Sequence, residues 1–549
     1  MLIGWILLTL FLAIFTAPAD AQIGCVPNHN ATLDRINNLF IDGCPLPPSS
    51  LNRAFGHVSA ASAMFDPRSY GATCGGGDAT VAIQNAVTAA ETSGGEVVIP
   101  CPLTVAGTVT VSTGGIRIHG IGPGNSYPGQ QDTPGPSIWP PTKGPAINCT
   151  GTAGSGCIVI NGAQGVEIDH FVAGNPQPLP PPCPPTGPCN SWTPTVYPFV
   201  IATVQGSGWQ GLNIHDVTCT ACSKFIDLEG TADYHLFTAT EIILRDLWCN
   251  VCLETGVRFH LIDNPLLVDH VDFVGQWNGN LPSLGYYQRT HLVAFDMQYL
   301  AAPQFANINF WVAKTAMQVT NGTVTNNALP GQPTITMAMS AGQFTNVMFN
   351  NPCQAVTMPN GNGTIAEFYF NNTYVWGDQS GFACSAGKAM FDMPSNFVRL
   401  FMSQVGVAIA DTFVNIGCGT PGTGGCPAGV AGGGSIARFV GIRADSYSAY
   451  TAGQPFIKVP SNVALLLAGS DPPEIVPASG GGNLLGPGLD GSQGYSSGLA
   501  VGGGRLARRP TSAEIPAANA TEPPASSGLR TARSRHRPDP SSAPYRRSR

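Results

Sequence analysis

The chain has 549 residues, a formal net charge of −7, only 10% charged residues, 67 glycines and 48 prolines. So many helix breakers exclude a helical bundle and suit short strands and turns. The length fits several ordinary domains or one long solenoid, and an acidic body argues against nucleic acid as a partner.

The first element is Leu2 to Thr16, almost wholly apolar, followed by Ala19-Asp20-Ala21 as a small-x-small cleavage site. Residues 1–21 are expected to be a secretory signal peptide, although no Lys or Arg precedes the apolar run. An uncleaved anchor is the alternative. No later stretch is long and apolar enough to span a bilayer, so the expectation is a secreted protein with no membrane contact after cleavage. Sixteen cysteines fit an oxidising compartment.

A lead-in over residues 22–64 precedes a loop, one short helix and a Gly-Gly break. Asp78 is placed to cap the helix by accepting backbone N–H groups. Ala82, Ile83, Ala86, Val87 and Ala90 recur at helical spacing and make one apolar face. Gly94-Gly95 stops the helix, and Val97-Val98-Ile99 before Pro100 reads as a buried strand. A lone helix with an apolar face ahead of many strands suits a plug over the open end of a solenoid.

Tyr70-Gly71-Ala72, Thr80-Val81-Ala82-Ile83-Gln84, Gly94-Gly95-Glu96-Val97-Val98-Ile99-Pro100 and Ile118-His119-Gly120-Ile121-Gly122 form a combination. It resembles the opening of the pectate-lyase-like right-handed parallel β-helix proteins, which include rhamnogalacturonase, polygalacturonase and epimerase-like members. The resemblance implies an all-β fold: a single-stranded right-handed parallel β-helix over residues 65–476 with an N-terminal capping helix. It does not specify an activity. The chain departs from the pattern after Pro100, where Cys101-Pro102-Leu103-Thr104 replaces the usual Gly-Thr-Tyr turn.

Between residues 160 and 450 an alternating motif recurs as VEIDHF, LNIHDV, IILRDL, LLVDHV, PQFANI, GQFTNV and YFNNTY. It aligns His170, Asp216, Asp246, His270, Asn307, Asn346 and Asn372 in one column, and such repetition marks a solenoid. Asn and Asp tolerate left-handed backbone and bond to nearby main chain, so the column is expected to be a repeated bend, not a chain of catalytic acids. The resemblance implies an asparagine ladder between the second and third sheets.

Cys219-x-x-Cys222 and Cys249-x-x-Cys252 follow the same repeat. Four such thiolates can hold zinc. Equivalent positions on stacked strands lie about 4.8 Å apart, which suits disulfides. Cross-rung bridges Cys219–Cys249 and Cys222–Cys252 are therefore expected, and no metal ligands are assigned. Cys74 and Cys101 flank the helix as another candidate pair. Cys149/Cys157 and Cys183/Cys189 would clip local loops.

In resembling enzymes substrate lies in a groove along the first sheet, whose strands here are FIDLEG, GVRFHL and VAFDMQ. Alternation turns Ile226/Leu228, Val257/Phe259 and Val293/Phe295 inward, and Asp227, Glu229, Arg258, His260 and Asp296 outward. One outward column is expected to run Glu229, His260, Asp296, with Arg258 over Asp227 beside it. Two rungs separate Glu229 from Asp296 by about 9.6 Å, near the upper end for an acid and a base flanking a water in an inverting glycosidase. His260 would tune the acid, and Arg258 would hold a uronate carboxylate. The plainer alternative is a solvated face with ion pairs Asp227–Arg258 and Glu229–His260.

Polygalacturonase-like signatures are absent, and Ile168-Asp169-His170 and Val268-Asp269-His270 resemble part of a lyase motif but overlap the ladder. No cofactor is expected, with calcium entering only if the reaction is an elimination. Trp209, Trp248, Trp277, Tyr286, Tyr287 and Trp311 would either stack on sugars or cover the core. Residues 477–549 are Gly/Ser/Pro/Arg-rich, and ten of the 25 basic residues lie beyond Ala500, so a disordered tail is expected. Three functions follow: a secreted hydrolase or lyase on acidic, pectin-like polysaccharide; a noncatalytic glycan- or surface-binding helix of adhesin type; or a purely structural exported protein.

Overall fold

The structure is a computed structural model that describes residues between Ala63 and Leu484. Segments 122–143, 182–191, 233–238, 275–281, 326–334, 417–435, 447–456 and several shorter ones are left out. The signal peptide, nearly all of the lead-in, Cys183, Cys189, Trp277 and most of the tail lie outside the described residues. Within the segment expected to be tail, Asn483–Leu484 is a strand pairing antiparallel with Lys458–Val459.

The chain is a right-handed parallel β-helix. One representative coil begins with Lys224–Glu229 in the first sheet, continues through Ile242–Asn250, and returns to the first sheet at Thr255–Ile262. The middle strand serves two sheets because Asp246 bends it with φ 52°. His170, Asp216, Asp246, His270, Asn307, Asn346 and Asn372 all sit at this bend, with φ between 52° and 59°. The column continues to Gln404 (φ 55°) and Gly441 (φ 66°), which lack the Asn/Asp signature. Side chains link successive coils: Asn346 Nδ2 donates to Asn307 Oδ1 at 2.9 Å, and Asn372 Nδ2 to Asn346 Oδ1 at 2.7 Å. Each bond satisfies a polar atom at a position where a Cβ-bearing residue is otherwise disfavoured.

Inside, equivalent apolar residues stack coil on coil. In the first sheet Ile226, Val257, Phe295, Met317, Val356, Phe391 and Val414 succeed one another in register. Phe305 stacks on Phe344 with ring centres 4.9 Å apart, and Phe310 on Phe349 at 5.4 Å. Phe295 touches both columns, at 5.5 and 5.0 Å, so rings from the three sheets meet in one dry core.

The helix Thr80–Ser93 buries Ala82, Ile83, Ala86, Val87 and Ala90 and ends at Gly94 with φ 70°. Asp78 Oδ1 accepts the N–H groups of Thr80 and Ala106, while Ala79 occupies the N-cap without a side-chain bond. The outer groups of the helix close the sheet edge. Gln84 exchanges two hydrogen bonds with the Thr110 backbone, and Glu91 accepts the N–H groups of Ser112 and Thr113. A sheet end left open would be a template for pairing with another chain.

Disulfides join Cys74 to Cys101 and Cys149 to Cys157, and a further one, not foreseen, joins Cys353 to Cys384. The expected cross-rung bridges are not the observed ones: Cys219 pairs with Cys222, and Cys249 with Cys252. Cys219 and Cys249 are register neighbours as expected. Ala221 and Val251, however, take left-handed φ of 54° and 69° and fold each second cysteine back on its own motif.

Candidate functional site

The outer face of the first sheet places Asp227, Arg258 and Asp296 in one register column and Glu229, His260 and Gln298 in the next. This corrects the expected columns, since Asp296 lies beside Arg258 and diagonal to His260. Phe295 and Met297, not Val293 and Phe295, continue the inward rows of Val257 and Phe259. A slip of two residues keeps every side chain on its proper face, so alternation alone cannot detect it.

The five expected residues nevertheless converge. Arg258 grips Asp227 through Nε–Oδ1 at 2.6 Å and Nη2–Oδ2 at 2.5 Å, and its Nη2 also lies 2.7 Å from Glu229 Oε1. His260 Nδ1 is 3.3 Å from Glu229 Oε1. Its Nε2 is 3.5 Å from Asp296 Oδ2, an ion-pair distance without hydrogen-bond alignment. One imidazole thus spans two carboxylates. The Asp227 side chain is 4% exposed, whereas Arg258 keeps 30% and Asp296 22%.

Neighbours hold the cluster in place. Phe199 lies under the Arg258 guanidinium, 5.0 Å from ring centre to Cζ. Thr203 Oγ1 accepts the Glu229 N–H at 2.7 Å, and Trp209 Nε1 donates to the Glu229 carbonyl at 2.9 Å. Trp209 and Tyr287 are buried and cover the core; Trp311 is exposed, and Trp248 and Tyr286 are half-buried.

Burial opposes the charge on His260, but Asp296 and Glu229 outweigh it and hold the imidazole up at about 9. Burial also opposes the charge on Glu229, yet His260 and Arg258 prevail and bring the carboxyl below its ordinary value. For Asp227 burial prevails over Arg258, and its carboxyl is raised. At neutral pH the cluster therefore offers an ionised Glu229 beside a protonated His260.

Upward from Asp227 the same outer column continues through Gln318, Thr357, Asp392 and Asn415. Gln318 Nε2 reaches Asp296 Oδ1 at 3.5 Å, and Asn415 Nδ2 donates to Asp392 Oδ1 at 2.8 Å. Seven rungs of polar side chains, Asp227 to Asn415, give a stripe about 29 Å long at about 4.8 Å per rung. Sequence reasoning missed its upper half. The available signal was one polar residue between two apolar ones in MQV, VTM, FDM and VNI, too short to stand out alone.

No family model matches the chain, and no curated protein does. Among solved structures it is similar to the Agl-KA catalytic domain, with 12% identity and a TM-score of 0.39 over 75% of this chain and 65% of that one. It is also similar to the Streptococcus pneumoniae surface protein and adhesin PfbA (14%, TM-score 0.37, 74% of this chain and 95% of that one). A third is endo-xylogalacturonan hydrolase from Aspergillus tubingensis (10%, TM-score 0.37, 74% and 92%). The chain thus spans just under two thirds of the length of the first. Likenesses this distant carry no argument about activity.

Proposed function

We propose that the first-sheet stripe binds an extended polysaccharide and that Glu229, His260 and Asp296 hydrolyse it. The observation that carries this reading is a single imidazole set between two partly exposed carboxylates, with a long polar stripe running on from it. Glu229, held ionised, takes a proton from water as the water attacks the anomeric carbon. His260, held protonated, gives the proton on Nε2, the ring nitrogen turned away from Glu229 and free of a hydrogen bond, to the departing glycosidic oxygen as substrate displaces the cover over that atom. Asp296 orients His260 and sustains its charge. Asp227 positions Arg258.

Pectin-like acidic glycan would be recognised by Arg258 reaching a uronate. With Asp227 and Glu229 already on that guanidinium, little positive field remains for a uronate, which favours hydrolysis over elimination and a neutral stretch of chain at the cleavage point. The disulfides support an oxidising, extracellular setting, and among the described residues no helix is long and apolar enough to cross a membrane. A noncatalytic glycan-binding helix is the second reading, favoured by the near-complete pairing of every charge in the cluster.

Purified protein screened on neutral and uronate polysaccharides should release reducing ends, and Glu229→Gln and Asp296→Asn should each lower the rate at least about 100-fold. Unsaturated uronate absorbance would indicate elimination instead. Binding with no product would favour the second reading, and unchanged rates in both variants would remove these residues from the chemistry.

A further inference from the structure

A second cluster of charged side chains stands on the second sheet, at the bend into the third, on the strands Arg117–Gly120, Glu167–Gly174 and Asn213–Thr220. We propose that Asp169, His170 and His215 form a binding site for a divalent transition-metal ion of the zinc class. Asp169 and His215 are register partners, and His170 follows Asp169 at the left-handed bend, with φ 59°. The bend brings the ring of His170 back over its own neighbour. His170 Nδ1 lies 3.4 Å from Asp169 Oδ2, and His215 Nε2 lies 3.1 Å from the same oxygen. Metal bonds of about 2.0–2.1 Å in tetrahedral array place their ligand atoms about 3.3 Å apart. The two spacings match that edge, and the three ligand atoms all lie within 4.8 Å of one another.

Three further observations point to an ion. His215 Nδ1 meets Asp216 Oδ2 at 2.8 Å, the carboxylate contact that directs the other ring nitrogen toward a metal. His170 Nδ1 is buried and has no hydrogen-bond partner. Glu167 Oε1, 2.9 Å from His215 Nε2, offers a fourth ligand. The charge balance agrees. Glu167 and Asp169 lie on Arg117 with its register partner Glu96 beside them, and Asp216 lies on His215, so the acids outnumber the guanidinium, and an ion takes the place of the proton that His215 Nε2 shares with Glu167 and Asp169. Arg117 is the competing cation, since its Nη2 lies 2.6 Å from Asp169 Oδ2. Its Nε also donates to Asp169 Oδ1 and Oδ2, at 3.3 and 3.0 Å, so an ion at Oδ2 displaces the guanidinium from that oxygen and leaves it on Oδ1.

The full chain, stripped with chelator, should take one equivalent of Zn2+ in calorimetric titration, and its thermal midpoint should rise with added Zn2+. His170→Asn should weaken binding at least tenfold without unfolding the protein, because Asn fills the same bend column at 307, 346 and 372. Asp216→Asn, which disturbs the outer contact, should weaken it about tenfold or more. Co2+ in place of Zn2+ should give tetrahedral visible bands without thiolate charge transfer, which separates this site from the cysteines. Sub-stoichiometric Zn2+, equal affinity in His170→Asn, or thiolate charge-transfer bands would each overturn the assignment.

Discussion

His260 carries a pH dependence whose sign follows from its surroundings. Glu229 and Asp296 flank the ring, Arg258 stands on the next column, and Gln298 is its register partner. The folded imidazole titrates near 9 against about 6.5 when unfolded, so folding binds a proton more tightly. Its contribution is complete below about pH 6.5 and is lost as the pH rises through 9. The ceiling is about 3 kcal/mol. Urea midpoints should therefore fall between pH 6.5 and 9.5, and His260→Gln should remove its share of that slope, the carboxylates around His215 holding that imidazole up at about 9 as well. An equal slope in the variant would show that another group is responsible. The same residue bears on the chemistry: hydrolysis by the proposed route should fade above pH 9, as His260 loses the proton it has to give.

The bend column ties conformation to cross-coil bonding at the level of the strand. Asn346 stands at φ 56°, donates to Asn307 and accepts from Asn372, so two coils rely on it. Asn346→Ala removes both bonds and leaves a Cβ without the local bonding that eases left-handed backbone, at a cost of about 1–3 kcal/mol in chemical unfolding. Asn346→Gly restores the backbone freedom and should recover part of the loss. Equal losses in the two would mean that only the side-chain bonds matter. This column was legible in the sequence because a left-handed bend admits few residue types, whereas Gln404 and Gly441 extended it unseen. The capping helix was legible for a similar reason, through the spacing of Ala82 to Ala90. The lateral position of Asp296 was not legible. It depends on where the helix Pro282–His291 delivers the chain to the strand at Val293, and a two-residue slip preserves the inward and outward faces alike. The cysteine pairing was hidden too, because Ala221 and Val251 carry no sign of the left-handed φ that folds each motif on itself.

The described residues form a stack in which each coil touches chiefly its neighbours, so damage should stay local. Phe344 tests this. Its ring stacks on Phe305 at 4.9 Å and on Phe370 at 4.6 Å, in the coils before and after its own. Phe344→Ala opens a cavity in a core with no room to collapse, and a cost of about 3–5 kcal/mol is expected. If stability is a sum of coil and neighbour terms, hydrogen exchange should quicken in Gln304–Phe310, Met339–Asn350 and Ile365–Gly377 together. The helix Thr80–Ser93 and the strand Asn213–Thr220, several coils away, should keep their protection. The aromatic column runs on through Phe391 and Phe413, so the loss should reach further toward the C-terminal coils than toward the aliphatic coils near the cap. A uniform loss along the chain would show instead that the solenoid opens as one cooperative unit, with the continuous ring stack transmitting the defect from end to end.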